Sequence, residues 1–160
     1  MKYLTIAIFI ISQLLVQSSF AAGSDGGNTK SKYDQAVSLI KAAKKYEKKE
    51  KIEKAQKRYA KAYKLLIKSN EKKPNNADTL NYLGFTSRKL GDFENGEKFY
   101  LEGLAIDPKH VGINEYLGEL YVATNRMDLA RERLDVLLGC NCEEYNELKE
   151  IIDGTKKSKY

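Results

Sequence analysis

The feature that most limits what this chain can fold into is a repeat with a period of 34 residues. Leu83-Gly84 and Leu117-Gly118 are separated by that step. So are Gly91-Asp92-Phe93 and Asn125-Arg126-Met127, two polar turns that each end in an apolar residue. The same step relates one small and two large positions: Gly96, Tyr100 and Leu104 in one unit, Ala130, Leu134 and Leu138 in the next. A period of this length predicts stacked units that bury their apolar faces against one another.

Each unit divides into two helices. In the first complete unit we expect Asp78 to cap a helix that runs to about Leu90, because an Asp side chain can accept a hydrogen bond from the first backbone amides. Gly91 ends this helix, since glycine tolerates a positive φ. A second helix carries apolar residues at helical spacing from Phe93 to Leu104, and Asp107-Pro108 stops it. The next unit repeats the arrangement.

A weaker copy precedes these two units, beginning near Ala36. Its step to the following unit is 41 residues, which lengthens its second helix by about two turns, towards Leu66 and Ile67. A competing register keeps the 34-residue step by equating Pro74 with Pro108. That register places Lys49-Glu50 in the packed small-residue position, so we prefer the longer helix.

The pattern of Leu83-Gly84, Gly91-Asp92-Phe93, Gly96, Tyr100 and Asp107-Pro108 resembles the tetratricopeptide repeat. The resemblance extends from Ala36 to Leu138 and includes departures. Leu80 and Asn114 stand where a large aromatic residue is usual. Gly96 and Gly103 replace the usual alanines, at about 1 kcal/mol of helix stability each. The segments 81–85, 115–121 and 142–145 also look like a group of small exported bacterial tetratricopeptide proteins that has no assigned chemistry.

The expected fold is therefore all-α: a right-handed solenoid of about three helical hairpins with a C-terminal capping helix. The helical domain spans 32–153, with repeats at about 36–76, 77–110 and 111–141. The capping helix is expected at 142–153, because Tyr145, Leu148 and Ile151 share one face and a terminal repeat needs a lid with a polar outer side. Residues 154–160 form a short, frayed basic tail.

The N-terminus has the organisation of an export signal. Lys2 gives a positive start, Tyr3 to Val16 are mostly apolar, and Ser19 and Ala21 provide the small residues of a cleavage site. The apolar run is short for a membrane span. We predict a signal peptide at 1–21, a flexible leader at 22–31, and a periplasmic or secreted product. A retained N-terminal anchor is the alternative.

Residue types that carry catalysis are scarce, so the chain is predicted not to be an enzyme. His110 is the single histidine, and we place it in a loop or at a helix start. No cofactor or metal ion is expected, since no ligand cluster or phosphate-binding glycine loop is present. In an oxidising compartment Cys140 and Cys142 can form a disulfide, but bridging residues two apart is restrictive and unpaired thiols remain open. A thiol-exchange role is a remote alternative.

The resemblance implies that the first helix of each hairpin lines a concave groove that holds a protein segment. The predicted groove residues are Asn81, Tyr82, Phe85, Arg88, Lys89, Glu115, Tyr116 and Glu119. We interpret Glu115 and Glu119 as a solvated or groove-lining pair. Some relatives clamp a C-terminal carboxylate with basic side chains, but Gly112 and Tyr116 occupy positions where such residues would be needed. The predicted function is that of a non-catalytic adaptor that binds a protein partner.

Charge is distributed unevenly. Residues 30–73 contain 16 basic and 5 acidic side chains, whereas residues 74–154 contain 8 basic and 16 acidic ones. This asymmetry can steer an acidic partner or favour head-to-tail association of copies. A basic surface is formed by Lys41, Lys44, Lys45, Lys48, Lys49 and Lys51. It is either a solvated helical face or a site that docks on an anionic membrane or envelope polymer; export disfavours nucleic acid.

Overall fold

The computed structural model describes residues 30–158, and within that range it contains seven helices and no strand. The predicted all-α fold is confirmed. The helices are α1 (Lys32–Glu47), α2 (Ile52–Lys72), α3 (Ala77–Lys89), α4 (Phe93–Ile106), α5 (Val111–Ala123), α6 (Met127–Val136) and α7 (Glu143–Ile152). The predicted signal peptide, most of the predicted leader and the last two residues of the tail lie outside the described residues. None of the seven helices combines the length and apolar character needed to cross a bilayer.

Consecutive helices pair into three hairpins: α1 with α2, α3 with α4, and α5 with α6. The hairpins stack through α2 on α3 and α4 on α5, and α7 closes the array by packing on α5 and α6. Helix α2 has 21 residues and α4 has 14. It is α2 that the 41-residue step predicts to be elongated.

Four of the described helices start where a side chain satisfies free backbone amides: α1, α3, α4 and α5. Asn76, and not Asp78, caps α3, because its side-chain oxygen accepts a hydrogen bond from the Thr79 amide at 2.7 Å. Asp78 lies in the first turn of α3, so the predicted cap is wrong. It contacts His110 instead, with 3.1 Å between Asp78 Oδ1 and His110 Nε2. His110 caps α5 by accepting the Ile113 amide at Nδ1, also at 3.1 Å.

The glycines that replace alanine occupy places where helices approach closely. A Cβ added at Gly103 would lie 2.5 Å from Ile113 Cδ1, and one added at Gly96 would lie 3.3 Å from the carbonyl oxygen of Gly84. Asn114 stands where an aromatic residue is usual. It is fully buried and donates to the carbonyl oxygens of Pro108 and His110. The departures from the repeat pattern thus have local partners.

The end of α6 differs from the sequence prediction. Helical spacing from Ala130 places Leu138 in the core, but the helix ends at Val136. Leu137 is buried, whereas Leu138 is 70% exposed. Gly139 has a φ of +85°, which turns the chain out of the helix and breaks the periodicity.

Ser31 and Lys156, which the sequence prediction places in the segments flanking the helical domain, have defined contacts. Ser31, placed in the leader, caps α1 by accepting the Asp34 amide at 3.1 Å. Lys156, placed in a frayed tail, pairs with Glu147 at 2.8 Å and lies 3.6 Å from Glu150. The tail therefore returns to α7 and is not frayed as far as Lys156.

Candidate functional site

A cleft of about 820 Å³ lies on the side of the molecule formed by the first helices of the hairpins. Its lining comes mainly from α1, α3, α5 and α7, and therefore from both ends of the described chain. Of the fourteen residues that line it, eleven are Lys or Glu. The lining is therefore dominated by charged residues, whose aliphatic stems join Ile52, Phe85 and Tyr116 in supplying apolar area.

One wall of the cleft is basic and belongs to α1. It is lined by Lys41, Lys44, Lys45 and Lys48, and all four residues are exposed. The spacing of Lys41, Lys44/Lys45 and Lys48 brings these side chains to one face of the helix. The basic wall therefore follows from the local sequence of α1.

The floor of the cleft is a pair of aromatic rings beneath Lys44. Phe85 on α3 and Tyr116 on α5 have ring centroids 5.1 Å apart. Lys44 Nζ lies 4.6 Å from the Phe85 centroid and donates a hydrogen bond to the Tyr116 hydroxyl at 3.3 Å. Burial raises the pKa of Tyr116 above its usual range, so this hydroxyl stays neutral. The rings hold the ammonium group by a cation–π contact, and Phe85 is only 1% exposed.

Lys89 lines the cleft but is tied to the first hairpin. Its Nζ lies 2.9 Å from Glu47 Oε1, and Glu47 also accepts a hydrogen bond from the Tyr59 hydroxyl at 2.8 Å. The carbonyl oxygen of Lys89 accepts from Gln56 Nε2 at 2.8 Å. These contacts join α3 to both helices of the preceding hairpin and fix the floor against the basic wall.

Below the floor, a buried ion pair joins α3 to α5. Arg88 Nη2 lies 3.0 Å from Glu119 Oε2, and the two side chains are 0% and 3% exposed. A second guanidinium nitrogen of Arg88 donates to the carbonyl oxygen of Tyr116. Such a pair is costly to break, because the remaining charge would be buried without compensation. It holds the second and third hairpins in register.

The opposite wall is acidic and belongs to α7, which presents Glu143, Glu144 and Glu147 to the cleft. Glu147 meets Glu115 of α5, which is 4% exposed. Burial, the neighbouring Glu119 carboxylate and the hydrogen bond with Glu147 raise the pKa of Glu115 to about 9. With this pKa, the Glu115 carboxyl is protonated at neutral pH and donates a hydrogen bond to Glu147. This hydrogen bond joins α7 to α5.

The structure brings together nine of the fourteen residues predicted for the groove and the basic surface. Those that line the cleft are Lys41, Lys44, Lys45, Lys48, Phe85, Lys89, Glu115, Tyr116 and Glu119. Five others lie outside the lining: Lys49, Lys51, Asn81, Tyr82 and Arg88.

The predicted residues that do not line the cleft lie elsewhere in the fold. Asn81 is buried against the start of α5, where its amide nitrogen lies 3.0 Å from the position of a Cβ on Gly112. Tyr82 packs edge-on against Tyr33 at 5.8 Å. Lys49 and Lys51 lie in the turn between α1 and α2. Of the two interpretations of Glu115 and Glu119, a solvated pair is wrong because both are almost fully buried, whereas both do line the cleft.

The acidic wall is the part of the site that the sequence prediction missed. Helical spacing places Glu143, Glu144 and Glu147 on one side of α7, adjoining the buried Leu148 and Ile151. This spacing shows that the three carboxylates lie together, but not that they turn towards α1.

The two cysteines and the histidine have contacts within the fold. Cys140 and Cys142 form a disulfide between α6 and α7, with their Cα atoms 5.2 Å apart. Both ring nitrogens of His110 have partners at the start of α5 or α3. Within residues 30–158, no group of three or more His, Cys, Asp or Glu side chains is arranged to hold a metal ion.

Solved structures with similar backbones place these features in a known fold. The TPR2B domain of yeast Sti1, in a complex with pHsp70, superposes with a TM-score of 0.51 at 17% identity, over 77% of this chain and 99% of that one. The chain has the tetratricopeptide repeat fold. In that fold, α1, α3 and α5 are the first helices of successive tetratricopeptide hairpins.

Two further structures are similar to this tetratricopeptide fold. The type III secretion translocator chaperone SycD of Yersinia enterocolitica has a TM-score of 0.54 at 14% identity, over 76% of this chain and 83% of that one. A chain of the CopN–Scc3 complex has a TM-score of 0.50 at 17% identity, over 83% and 80%. No protein-family model matches the chain, and no curated protein matches it.

Proposed function

We propose that this protein is a non-catalytic interaction module that binds a segment of a partner protein in the cleft bounded by α1, α3, α5 and α7. The observation that carries the proposal is the cleft itself, which is open, has a volume of about 820 Å³ and is lined from four helices. A segment in helical or extended form is the kind of ligand that lies along such a surface.

The lining chemistry favours a protein segment over a small molecule. Pockets for small molecules are mostly apolar, with a few polar groups that fix orientation. Here the charged residues outnumber the others, and the aromatic floor is covered by Lys44. An open cleft lined by charged residues gains affinity by adding many moderate contacts along a chain, as protein interfaces do.

The similar structures support the same function. The yeast Sti1 domain binds pHsp70, and the CopN–Scc3 structure is a complex of two proteins. Their resemblance to this chain lies in the fold. For this protein, the binding proposal is therefore supported by the residues that line the cleft.

The absence of a catalytic role is also part of the proposal. The cysteines are joined to each other and His110 is used as a helix cap. The one strongly shifted carboxyl described above, that of Glu115, hydrogen-bonds to a neighbouring helix. These groups are accounted for by the folding of the chain.

The module is proposed to work outside the cytoplasm, as an adaptor in the periplasm or in the medium. The signal-like sequence at 1–21 supports this location, and a disulfide is stable in such compartments. N-terminal sequencing of the protein recovered from its producing cells checks it. A mature end near residue 22 is expected, and a cytosolic protein that keeps residues 1–21 contradicts it.

Site-specific photo-crosslinking in the native cell tests the binding function. A benzophenone amino acid placed at Lys45, Lys48 or Glu144 faces the cleft, while one at Lys61 or Glu102 lies outside its lining. The first three positions are expected to yield protease-sensitive adducts to a discrete protein, and the last two are not. Equal adducts from both sets, or adducts to lipid or polymer only, overturn the proposal.

A further inference from the structure

The two walls of the cleft carry opposite charge, and most of that charge is not neutralised internally. In the described chain, no ion pair or hydrogen bond joins the Lys41, Lys45 or Lys48 side chain to another residue. On the other wall, no ion pair within the described residues involves the carboxylate of Glu143 or Glu144. A ligand that matches this cleft therefore carries both negative and positive charges.

The positions of these charges explain why the protein tolerates them. Lys45 lies in the last turn of α1, where the helix dipole is negative, and Glu143 and Glu144 lie in the first turn of α7, where it is positive. The helix ends therefore stabilise Lys45, Glu143 and Glu144 without a partner across the cleft. These charges stay available to a ligand.

We infer that the segment bound in the cleft is charge-polarised, with acidic side chains that face α1 and basic side chains that face α7. This inference rests on the proposed function and specifies the chemical class of the partner. A ligand of the inverse polarity would meet like charge on both walls, which costs affinity.

Uniformly charged ligands are disfavoured by the same geometry. An anionic polymer or lipid surface is attracted by Lys41, Lys45 and Lys48 but repelled by the acidic wall formed by Glu143, Glu144 and Glu147. A polybasic peptide meets the reverse problem. Lys44 already occupies the space above the aromatic floor, so a cationic side chain of the ligand gains more at α7 than at the floor.

A designed peptide pair tests the inference directly. The probe has a block of Glu, a neutral helical stretch and a block of Lys, with a benzophenone at the acidic end. The comparison peptide has the same composition with Glu and Lys interspersed. The block peptide is expected to bind about tenfold more tightly at low salt, and the benzophenone is expected to react with α1.

Charge reversal of the cleft supplies the matched variants. Lys41→Glu, Lys45→Glu and Lys48→Glu together should weaken the block peptide by about tenfold or more. Reversal of Lys57, Lys61 and Lys64 on α2, which are exposed and outside the cleft, changes the net charge equally and should have much less effect. Adding Glu143→Lys and Glu144→Lys to the first set should restore binding and move the crosslink from α1 to α7. Circular dichroism checks that each variant is folded, and Lys→Gln variants replace any that is not.

Each result decides the inference. The inference is overturned if the interspersed peptide binds as well as the block peptide. It is also overturned if an all-Glu peptide, an all-Lys peptide or anionic phosphatidylglycerol vesicles bind more tightly than the block peptide. A crosslink that stays on α1 after reversal of both walls overturns it as well. Self-association in light scattering that the block peptide does not displace assigns the cleft to a second copy and also overturns it. A native partner crosslinked in the cleft through a uniformly charged segment contradicts this inference but not the proposed function. The lack of any protein crosslink from Lys45, Lys48 or Glu144 contradicts both.

Discussion

Leu148 of α7 occupies the space above Gly118 of α5: a Cβ added at Gly118 would lie 2.5 Å from Leu148 Cδ2. Leu148 is completely buried there. The glycine that marks the third hairpin in the sequence repeat is therefore the seat of the capping helix. Because α7 also bears the acidic wall, this contact positions half of the binding surface.

A double-mutant cycle at this contact measures how α7 is seated. Gly118→Ala gains helix propensity of about 1 kcal/mol but overpacks the seat by about 1–3 kcal/mol, so we expect a net loss of stability. Leu148→Ala should cost about 2–5 kcal/mol. The two changes together should cost less than their sum in urea unfolding, since the methyl group added on α5 partly fills the space vacated on α7. Additive costs would contradict the contact.

The stability of the protein should fall as the pH rises towards about 9. The pKa of Glu115 is raised from 4.5 to about 9 in the folded state, so the folded state binds a proton that the unfolded state loses first. The stabilisation is present below about pH 4.5 and is lost as the pH rises through about 9. Unfolding free energies at pH 6 and pH 9 should differ by at least about 1 kcal/mol from this group.

Glu115→Gln isolates that effect, because an amide mimics the protonated carboxyl and can still donate to Glu147. The variant should show a flatter dependence of stability on pH than the natural protein. Glu143→Gln, an exposed change on the adjoining wall, is the matched control and should leave the slope intact. An unchanged slope in Glu115→Gln would show that another group titrates in this range.

The buried pair of Arg88 and Glu119 should be needed as a pair. Arg88→Met leaves a carboxylate buried without its cation and should cost about 3–5 kcal/mol. Arg88→Met with Glu119→Leu should recover much of that loss, since neither charge is then buried alone. Lys149→Met removes an exposed pair with Asp153 and should cost far less than Arg88→Met, since solvent screens that pair. Urea unfolding distinguishes these three outcomes, and an equal cost for both single variants would contradict the assignment.

Reduction of the Cys140–Cys142 disulfide should loosen α7 while leaving the hairpins folded. Reductant should add two hydrogens to the intact mass, and amides of 143–152 should then exchange faster with solvent. The closed loop is short, so the loss of stability should be only about 1–2 kcal/mol. Amides in α3 serve as the internal reference, and faster exchange there as well would indicate global rather than local loosening.

The hairpins could be predicted from the sequence because the repeat forces equivalent residues into equivalent packing. The Leu-Gly step and the Gly91 turn depend on contacts within one hairpin or between neighbours. Leu138 was misplaced because helix periodicity does not show where a helix ends. Gly139, which turns the chain, ends it earlier than the pattern predicts.

The cleft could be predicted only in part, because its chemistry depends on contacts between distant helices. That Phe85 belongs to the site follows from α3, but its cover by Lys44 requires the position of α1. The buried state of Glu115 depends likewise on where α7 comes to rest. Sequence spacing identifies which residues share a helix face, and the packing of helices decides which of those faces meet.

The positive wall of the cleft comes from the first helix of the described chain and the negative wall from the last. During synthesis, recognition would therefore mature late: until α7 docks, the cleft lacks its acidic wall and its exposed charge is mainly that of the lysines of α1. Truncation before residue 143 would leave that immature surface in place permanently. A fragment of this kind would not be a weakened version of the protein, but a binder with a different preference.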